Sequence, residues 1–376
     1  MTLDRARCVT AFRRAVDACD PARLVAGALA SALGPLADRP RFGVAIGKAA
    51  LAMARGAGPV ERGVIVTHAD DGRGAPPGWY IVVGAHPVPD ARSLHAGEAV
   101  IDLVAGARAD GVVLALVSGG ASALVERPAP GVAFDELRAR VADLMASGAD
   151  IHAINRLRGE LSALKGGKLA RLCTPPVATL AISDVHDNDI AVIGSGPTIA
   201  PERPRDRARV IASMQRFATE LAAAYRESHD HVVGPFPHPI TSNVHAAAEY
   251  LLARELEARP RVYAAWGEPT VALPEPHGEG GRAQQLALIL ARELRGGHAA
   301  AFIAASDGAD GPAPRLRPAP AGAFVDETTW ARVRSTGIDP DVALATCDAG
   351  AALHAVGALV ATGPTGINHG DVMLIG

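Results

Sequence analysis

The chain has 376 residues, with 37 Lys and Arg against 40 Asp and Glu, a formal net charge of −3. That near-neutral balance lacks the basic surplus of nucleic-acid binders, and no apolar run approaches the ~20 residues that span a bilayer. At roughly 100–200 residues per domain, the length predicts two domains, each with its own core. The first twenty residues interrupt their apolar positions with charges too often for a signal peptide. Cys8, Cys19, Cys173 and Cys347 lie far apart without metal-ligand spacing. Neither disulfides nor structural zinc is expected, and a reducing cytoplasm is the expected location.

Aromatic residues make up only 4% of a chain that is 49% hydrophobic, so the core must be built from Ala, Val, Leu and Ile. RFGVAIG (41–47) reads as a strand running into a helix at Lys48–Arg55. RGVIVTH (62–68), WYIVVGAHP (79–87) and GVVLALVSG (111–119) read as buried strands because nearly every residue is apolar. Helical periodicity covers 93–107, 134–148 and Ile151 to about Leu172. PPVATLAISD (175–184) is a further strand. HDHVVGPFPHPIT (229–241) is rich in Pro, Gly and His and lacks periodicity, which predicts a domain linker. Beyond it, 244–258 and 282–294 read as helices, and 261–267, 299–307 and 358–363 as strands. The alternation predicts an α/β fold with parallel sheets in both halves and domains of 1–232 and 233–376.

Polar residues collect where these strands end, at Gly47–Lys48, Ser118–Ser122, Ser183–Asp189, Gly267–Thr270, Ser306–Gly311 and Thr362–Gly366. Ligands of open α/β sheets bind there, because loops and helix N-termini converge at the carboxyl ends of the strands. A Walker A loop is absent: GVAIGKA is one residue short and has Ala49 where Ser or Thr would hold magnesium. GEGGRA (278–283) satisfies the dinucleotide fingerprint but follows a Pro-rich loop instead of a strand. No G-x-S-x-G elbow or HExxH occurs. His229, His231, His238 and His245 lack carboxylates at ligand spacing and read as solvated loop residues. What remains is cations facing acids: Lys48, Arg158, Lys165, Lys168 and Arg282 near glycine turns, and Asp184, Asp187, Asp189, Asp307 and Asp310 at strand ends. Fixed cations with carboxylates suit phosphoryl transfer. The bland alternatives are helix-end cations at Lys165 and Lys168 and a surface ion pair of Arg158 with Glu160. Arg282 opens a helix, where a cation opposes the dipole, and so invites a functional explanation.

The ordered string GKAA, GAHPVPD, SGGASAL, NRLRGELSALKGGKLA, ISDV…IGSGPT, GEPTV…GGRAQQLAL, SDGADGP, AGAFVD and TGPTG resembles the glycerate 2-kinase family over nearly the whole chain. The resemblance implies a Rossmann-like N-terminal domain and a smaller α/β MOFRL-like C-terminal domain with the active site between them. It implies transfer of phosphate from ATP, with Mg²⁺, to the 2-hydroxyl of D-glycerate or a related small hydroxy acid. Lys48 and Arg282 would neutralise the transferred group, and Asp184 or Asp307 would serve as base or metal ligand. Ser118, Gly119, Gly120, Ser122, Asn155, Arg158, Lys165, Glu268 and Asp310 would bind substrate or phosphate. No nucleic acid or membrane partner is expected, and a homodimer is allowed.

The chain departs from the family pattern at Glu160, Ala283, Asn188, Ala313 and Ile367, each of which alters hydrogen bonding. Two alternatives therefore stand beside the kinase. One is an NAD(P)-dependent hydroxypyruvate reductase; the other is a repurposed or inactive paralogue that binds a sugar acid.

Overall fold

The computed structural model describes residues 3–227, 232–256, 262–312 and 318–376, the side chains of 254–256 excepted. The elements begin with helices α1 (Arg5–Ala18) and α2 (Pro21–Leu33), strand β1 (Arg41–Ile46), α3 (Ala50–Ala57), β2 (Arg62–Thr67) and β3 (Trp79–Val83). Next come α4 (Ala91–Ala105), β4 (Val112–Val117), the single turn α5 (Ala121–Leu124), α6 (Phe134–Ala146), α7 (Ile151–Leu161) and α8 (Lys168–Leu172). They are followed by β5 (Val177–Ile182), β6 (Arg207–Ala212), α9 (Met214–Arg226), β7 (Val232–Val233), α10 (Val244–Leu256) and β8 (Val262–Gly267). The chain closes with α11 (Arg282–Glu293), β9 (Ala300–Ala305), β10 (Gly322–Asp326), α12 (Thr329–Ser335), α13 (Pro340–Ala345), α14 (Ala349–Ala355), β11 (Leu359–Val360) and β12 (Asp371–Ile375).

Asp20–Ser213 forms one compact unit; Met1–Cys19 and Met214–Gly376 together form the other. In the first, the sheet runs β3-β2-β1-β4-β5-β6 and every pair is parallel. Val44 of β1 stands between Val64 of β2 and Ala115 of β4. β4 and β5 are buried at every position, as continuous apolar strands between two helical layers must be. The order reverses between β1 and β4, so the loops leaving these two strands diverge and open a crevice at their carboxyl ends. The segment expected as one helix from 151 to 172 is two, because Gly166 and Gly167 take positive φ values of 62° and 77°. β6 escapes an apolar reading because it is an edge strand with Arg207 and Arg209 exposed.

The second sheet runs β11-β10-β9-β12-β8-β7, and only β7 and β8 are parallel. The expectation of a parallel sheet in this half is therefore corrected. β8, α11 and β9 form a crossover that leaves one slot open, and β12 fills it antiparallel to both strands. β9 and β10 are joined without a helix among the described residues, so the chain returns antiparallel. An apolar run reports burial on two faces, not direction.

The domain boundary also differs from the expected 232/233. α9 packs on β8, and α1 packs on α9. Phe12 of α1 meets Phe217 edge-on at 5.6 Å and Phe302 of β9 at 6.0 Å. Of the expected linker, 229–231 lie outside the described residues, as do 257–258, Arg261 and Ala313. The rest is sheet edge: Val232 and Val233 pair with Val262 and Tyr263, and Ile240 N–H donates to the Trp266 carbonyl at 2.8 Å. Pro and Gly are tolerated there because an edge strand needs only one set of ladder bonds. Among the described residues, no helix is long and apolar enough to cross a membrane.

His369 is fully buried in this second unit, its ring 6.1 Å from that of Phe217. Neither ring nitrogen is in a well-formed hydrogen bond among the described residues. Burial, with a smaller contribution from Arg216, pulls the imidazole down to about 4, against an opposing pull from the Cys19 backbone. The folded chain keeps this group neutral where the unfolded chain binds a proton, so stability falls as pH drops from about 6.5 toward 4. At roughly 1.4 kcal/mol per pKa unit, the loss is about 3 kcal/mol. Urea denaturation from pH 7 to 4.5 should show a steeper decline in the parent than in His369→Leu; equal slopes would contradict this.

Candidate functional site

The loops after β1 and β4 are laced together. The Lys48 N–H donates to the Gly119 carbonyl at 2.9 Å, and the Ser118 hydroxyl accepts from Ala49 N–H at 3.1 Å. Ser118 is thus spent on fixing the Gly47–Lys48 turn and is buried. Gly119 is required because the Asp184 carboxylate lies against its Cα; a Cβ there would come within 2.4 Å of Oδ2. Gly120 is left-handed at φ 86°, and Lys48 Cγ and the His86 ring both close on it. Lys48 is exposed, and among the described residues its ammonium has no hydrogen-bond or ion-pair partner.

Beside these loops lies a cavity of about 560 Å³ lined by His86, Gly120, Ser122, Asn155, Arg158 and Asp184, among others. Five of those six are residues the sequence singles out. Asn155 is held by a chain of polar contacts. The Ser122 and Ser195 hydroxyls are 2.7 Å apart, Ser195 donates to Asn155 Oδ1 at 2.8 Å, and Asn155 Nδ2 donates to the Val192 carbonyl at 3.2 Å. Arg158 is half-buried and makes no ion pair among the described residues; its nearest polar partner is the Met145 sulfur at 3.7 Å. The surface ion pair with Glu160 does not form. Burial lowers the Arg158 guanidinium below its ordinary value, with Glu126 opposing.

Lys165 does not reach the cavity. It is buried in an ion pair with Glu126, whose other oxygen accepts from the Ser162 hydroxyl at 2.6 Å. Burial draws Lys165 below the usual lysine range, and Glu126 opposes that shift. The pair ties the end of α7 to the loop after α5, where Pro128 and Ser162 form a lone bridge. Lys168 donates to the Gly159 and Ser162 carbonyls at 2.7 and 2.6 Å, satisfying the end of α7 as a helix-end cation should.

The second unit has its own polar cavity of about 520 Å³, lined by Glu268, Arg282, Asp307, Asp310 and Asp371 among others. Arg282 is not free. Its Nε donates to Asp371 Oδ2 at 2.5 Å, and its terminal nitrogen reaches Asp371 Oδ1 at 3.2 Å and Glu268 at 2.9 Å. Asp371 is completely buried at the start of β12; burial raises its carboxyl well above the usual range although Arg282 pulls the other way. The dipole puzzle at Arg282 resolves through Asp310. Its carboxylate accepts from Ala283 N–H at 3.0 Å and Gln284 N–H at 2.8 Å, so it caps α11 itself. Asp310 is therefore a turn-holding residue, and the backbone amides an anion would use are already taken. Asp307 is exposed, with one oxygen accepting from Ala309 N–H at 3.0 Å. Among the described residues, no group of three or more His, Cys, Asp or Glu side chains could hold a metal ion.

Sequence reasoning missed His86, Glu126, Ser195 and Asp371. Only the last two carried a signal: Ser195 sits between two glycines, and Asp371 is an acid leading directly into an apolar strand. His86 closes an apolar run that reads as strand, and Glu126 follows one.

Known proteins share this chain's two-domain organisation. A family profile described as a domain of unknown function, DUF4147, matches residues 7–228, and the MOFRL family profile matches 261–371. An Agrobacterium vitis protein named "Putative hydroxypyruvate reductase" is 35% identical, the match covering 88% of this chain and 98% of that protein. The D-glycerate 2-kinase of Thermotoga maritima is 31% identical across 88% of this chain and 89% of its own. The crystal structure of glycerate kinase from Thermotoga maritima superposes with a TM-score of 0.88 at 27% identity, covering 98% of each chain.

The Glu126–Lys165 pair gives a test of the scaffold under Arg158. Removing one partner of a buried pair strands the other, at a typical cost of about 3–5 kcal/mol. Lys165→Met should lower the urea midpoint accordingly, and Glu126→Leu with Lys165→Met should recover most of the loss. A single variant as stable as the parent would show that the pair carries no structural burden.

Proposed function

The chain belongs to the family that joins a DUF4147 domain to a MOFRL domain, and on that footing we propose that it transfers the γ-phosphoryl group of ATP to the 2-hydroxyl of D-glycerate. Arg158 carries the reading. A half-buried guanidinium with no direct ion-pair partner among the described residues is costly, and an incoming carboxylate supplies one through a two-pronged contact. In glycerate the 2-hydroxyl sits on the carbon next to the carboxylate, so anchoring one end fixes the other. Ser122, Asn155 and Asp184 then offer hydrogen bonds to the hydroxyls inside the same cavity. Lys48, adjacent to Gly120, supplies positive charge for the transferring phosphoryl group. The hydroxyl oxygen bonds to the γ-phosphorus as the bond to the bridging oxygen breaks and ADP leaves.

The cavity of the second unit suits the metal-bearing nucleotide better than a bare anion. It gathers Glu268, Asp307, Asp310 and Asp371 against the single cation Arg282. Asp371 and Glu268 are engaged with Arg282, and Asp310 with the start of α11, which leaves exposed Asp307 to hold Mg²⁺. One carboxylate suffices, because Mg²⁺ usually arrives on phosphates and keeps several waters. When bound, the ion neutralises charge on the β- and γ-phosphate oxygens. Arg282, held in place by Asp371 and Glu268, presents its remaining edge to the same cavity.

ADP release should require both D-glycerate and a divalent cation, with phosphate appearing on the 2-hydroxyl. NADH oxidation with hydroxypyruvate and no ADP release would favour the reductase instead. Arg158→Met should raise KM for glycerate by about 100-fold, the loss expected of a charge-assisted bidentate contact, and leave KM for ATP within a factor of three or so. Lys48→Ala should lower kcat by about 10²–10³. Steady-state kinetics in each substrate separates the two; an unchanged KM in Arg158→Met would remove the carboxylate anchor.

A further inference from the structure

Phosphorylation of a hydroxyl releases a proton, and the roles proposed above, with Asp184 a hydrogen-bonding group and Asp307 a metal ligand, give it no destination. Building on the kinase reading, we propose that His86 is a catalytic residue that takes the 2-hydroxyl proton on Nε2. His86 lies just beyond β3 and lines the same cavity as Arg158, Ser122 and Asp184. The edge of the ring that carries Nε2 faces Gly120: a Cβ built there would stand 3.2 Å from Nε2 and 3.1 Å from Cδ2, with Lys48 Cγ also at 3.2 Å. The imidazole and the lysine therefore converge on one glycine at the mouth of the site. Among the described residues the ring makes no hydrogen bond, so no structural contact occupies its nitrogens.

Two carboxylates of this cavity already have close neighbours. The Asp184 carboxylate is packed on Gly119, and Asp187 pairs with His152 at 3.4 Å. The groups facing His86 are Lys48 from the β1–α3 turn and His68 beyond β2, whose ring centre is 6.5 Å away. Across the cavity stand Arg158 and His152 of α7, and Asp184, His186 and Asp187 of the loop after β5. Burial, then Lys48, then His68 lower the His86 imidazole below its ordinary value, so it is neutral and able to accept a proton at physiological pH. In the step, the O–H bond breaks toward Nε2 as oxygen bonds to the γ-phosphorus. The electron pair of the breaking P–O bond leaves with ADP, and the histidinium then returns its proton to water.

The test begins with the parent protein, D-glycerate, ATP and magnesium, followed by ADP release from pH 4.5 to 8.5. kcat should fall on the acid side with an apparent pKa below 6.5. His86→Gln should lose about 10²–10³ in kcat, within the range typical of general bases. KM for glycerate should stay within a factor of three or so, and the acid limb should disappear. Added imidazole should restore part of the kcat of His86→Ala, which a merely structural histidine would not allow. A parent profile without an acid limb, or a His86→Gln variant with near-parental kcat and the limb intact, overturns the assignment while leaving the kinase reading standing. No glycerate-dependent ADP release from the parent at any pH overturns both.

Discussion

Everything in the Asp20–Ser213 unit depends on two parallel strands that lie side by side while their loops leave in opposite directions. β1 and β4 are neighbours in the sheet but far apart in sequence, and the sheet grows outward from them both ways. The gap this leaves can be narrow only if the loops touch without side chains between them. Glycines at 47 and 119 meet that condition, with the Ser118 hydroxyl filling the space beside one and the Asp184 carboxylate the space beside the other. Position in the fold, more than any single motif, gathers Lys48, His86, Arg158 and Asp184 around a single opening.

Charge is distributed differently in the two units. The cavity at Arg158 holds one arginine and two carboxylates, Asp184 and Asp187, and the arginine has no ion-pair partner among the described residues. Around Arg282 the acids are in excess, and three of them, Asp371, Glu268 and Asp310, are consumed in holding the arginine and the α11 turn. Each cavity thus separates residues that build it from residues that face outward into it. Glu126, Asp310 and Asp371 belong to the builders: they are buried, hydrogen-bonded and aimed at backbone or cation. Asp307 and Arg158 face into their cavities, and Lys48 is exposed beside Gly120.

That separation sets how much of the structure is legible in the sequence. The inner strands of the first sheet, β2, β1, β4 and β5, were legible because burial on both faces leaves an unbroken apolar run, and the polar ends of those runs marked the loops; edge strand β6 was not. Direction was not legible: the apolar run of β9 looks the same whether its neighbours are parallel or antiparallel, and both are antiparallel. Nor was the partner of a helix, since the apolar face of α1 does not name α9 as its cover. Among site residues, a cation beside glycines reads alike whether it faces solvent or a buried acid. Arg158 and Lys165 looked equivalent in sequence, yet one lines a cavity and the other is sealed against Glu126. His86 was hidden because an apolar strand ran straight into it.

The placement of α1 bears on how the protein is made. Its buried face, Cys8, Ala11, Phe12 and Ala15, is covered by α9 and β9, which the ribosome delivers only after the whole of Asp20–Ser213. At roughly 5–20 residues per second, that wait is on the order of ten seconds or more. During it, the intervening unit has all of its own strands and can fold, while α1 waits as an uncovered amphipathic segment. A nascent chain of this kind offers a binding site to a chaperone at one end before its other end exists.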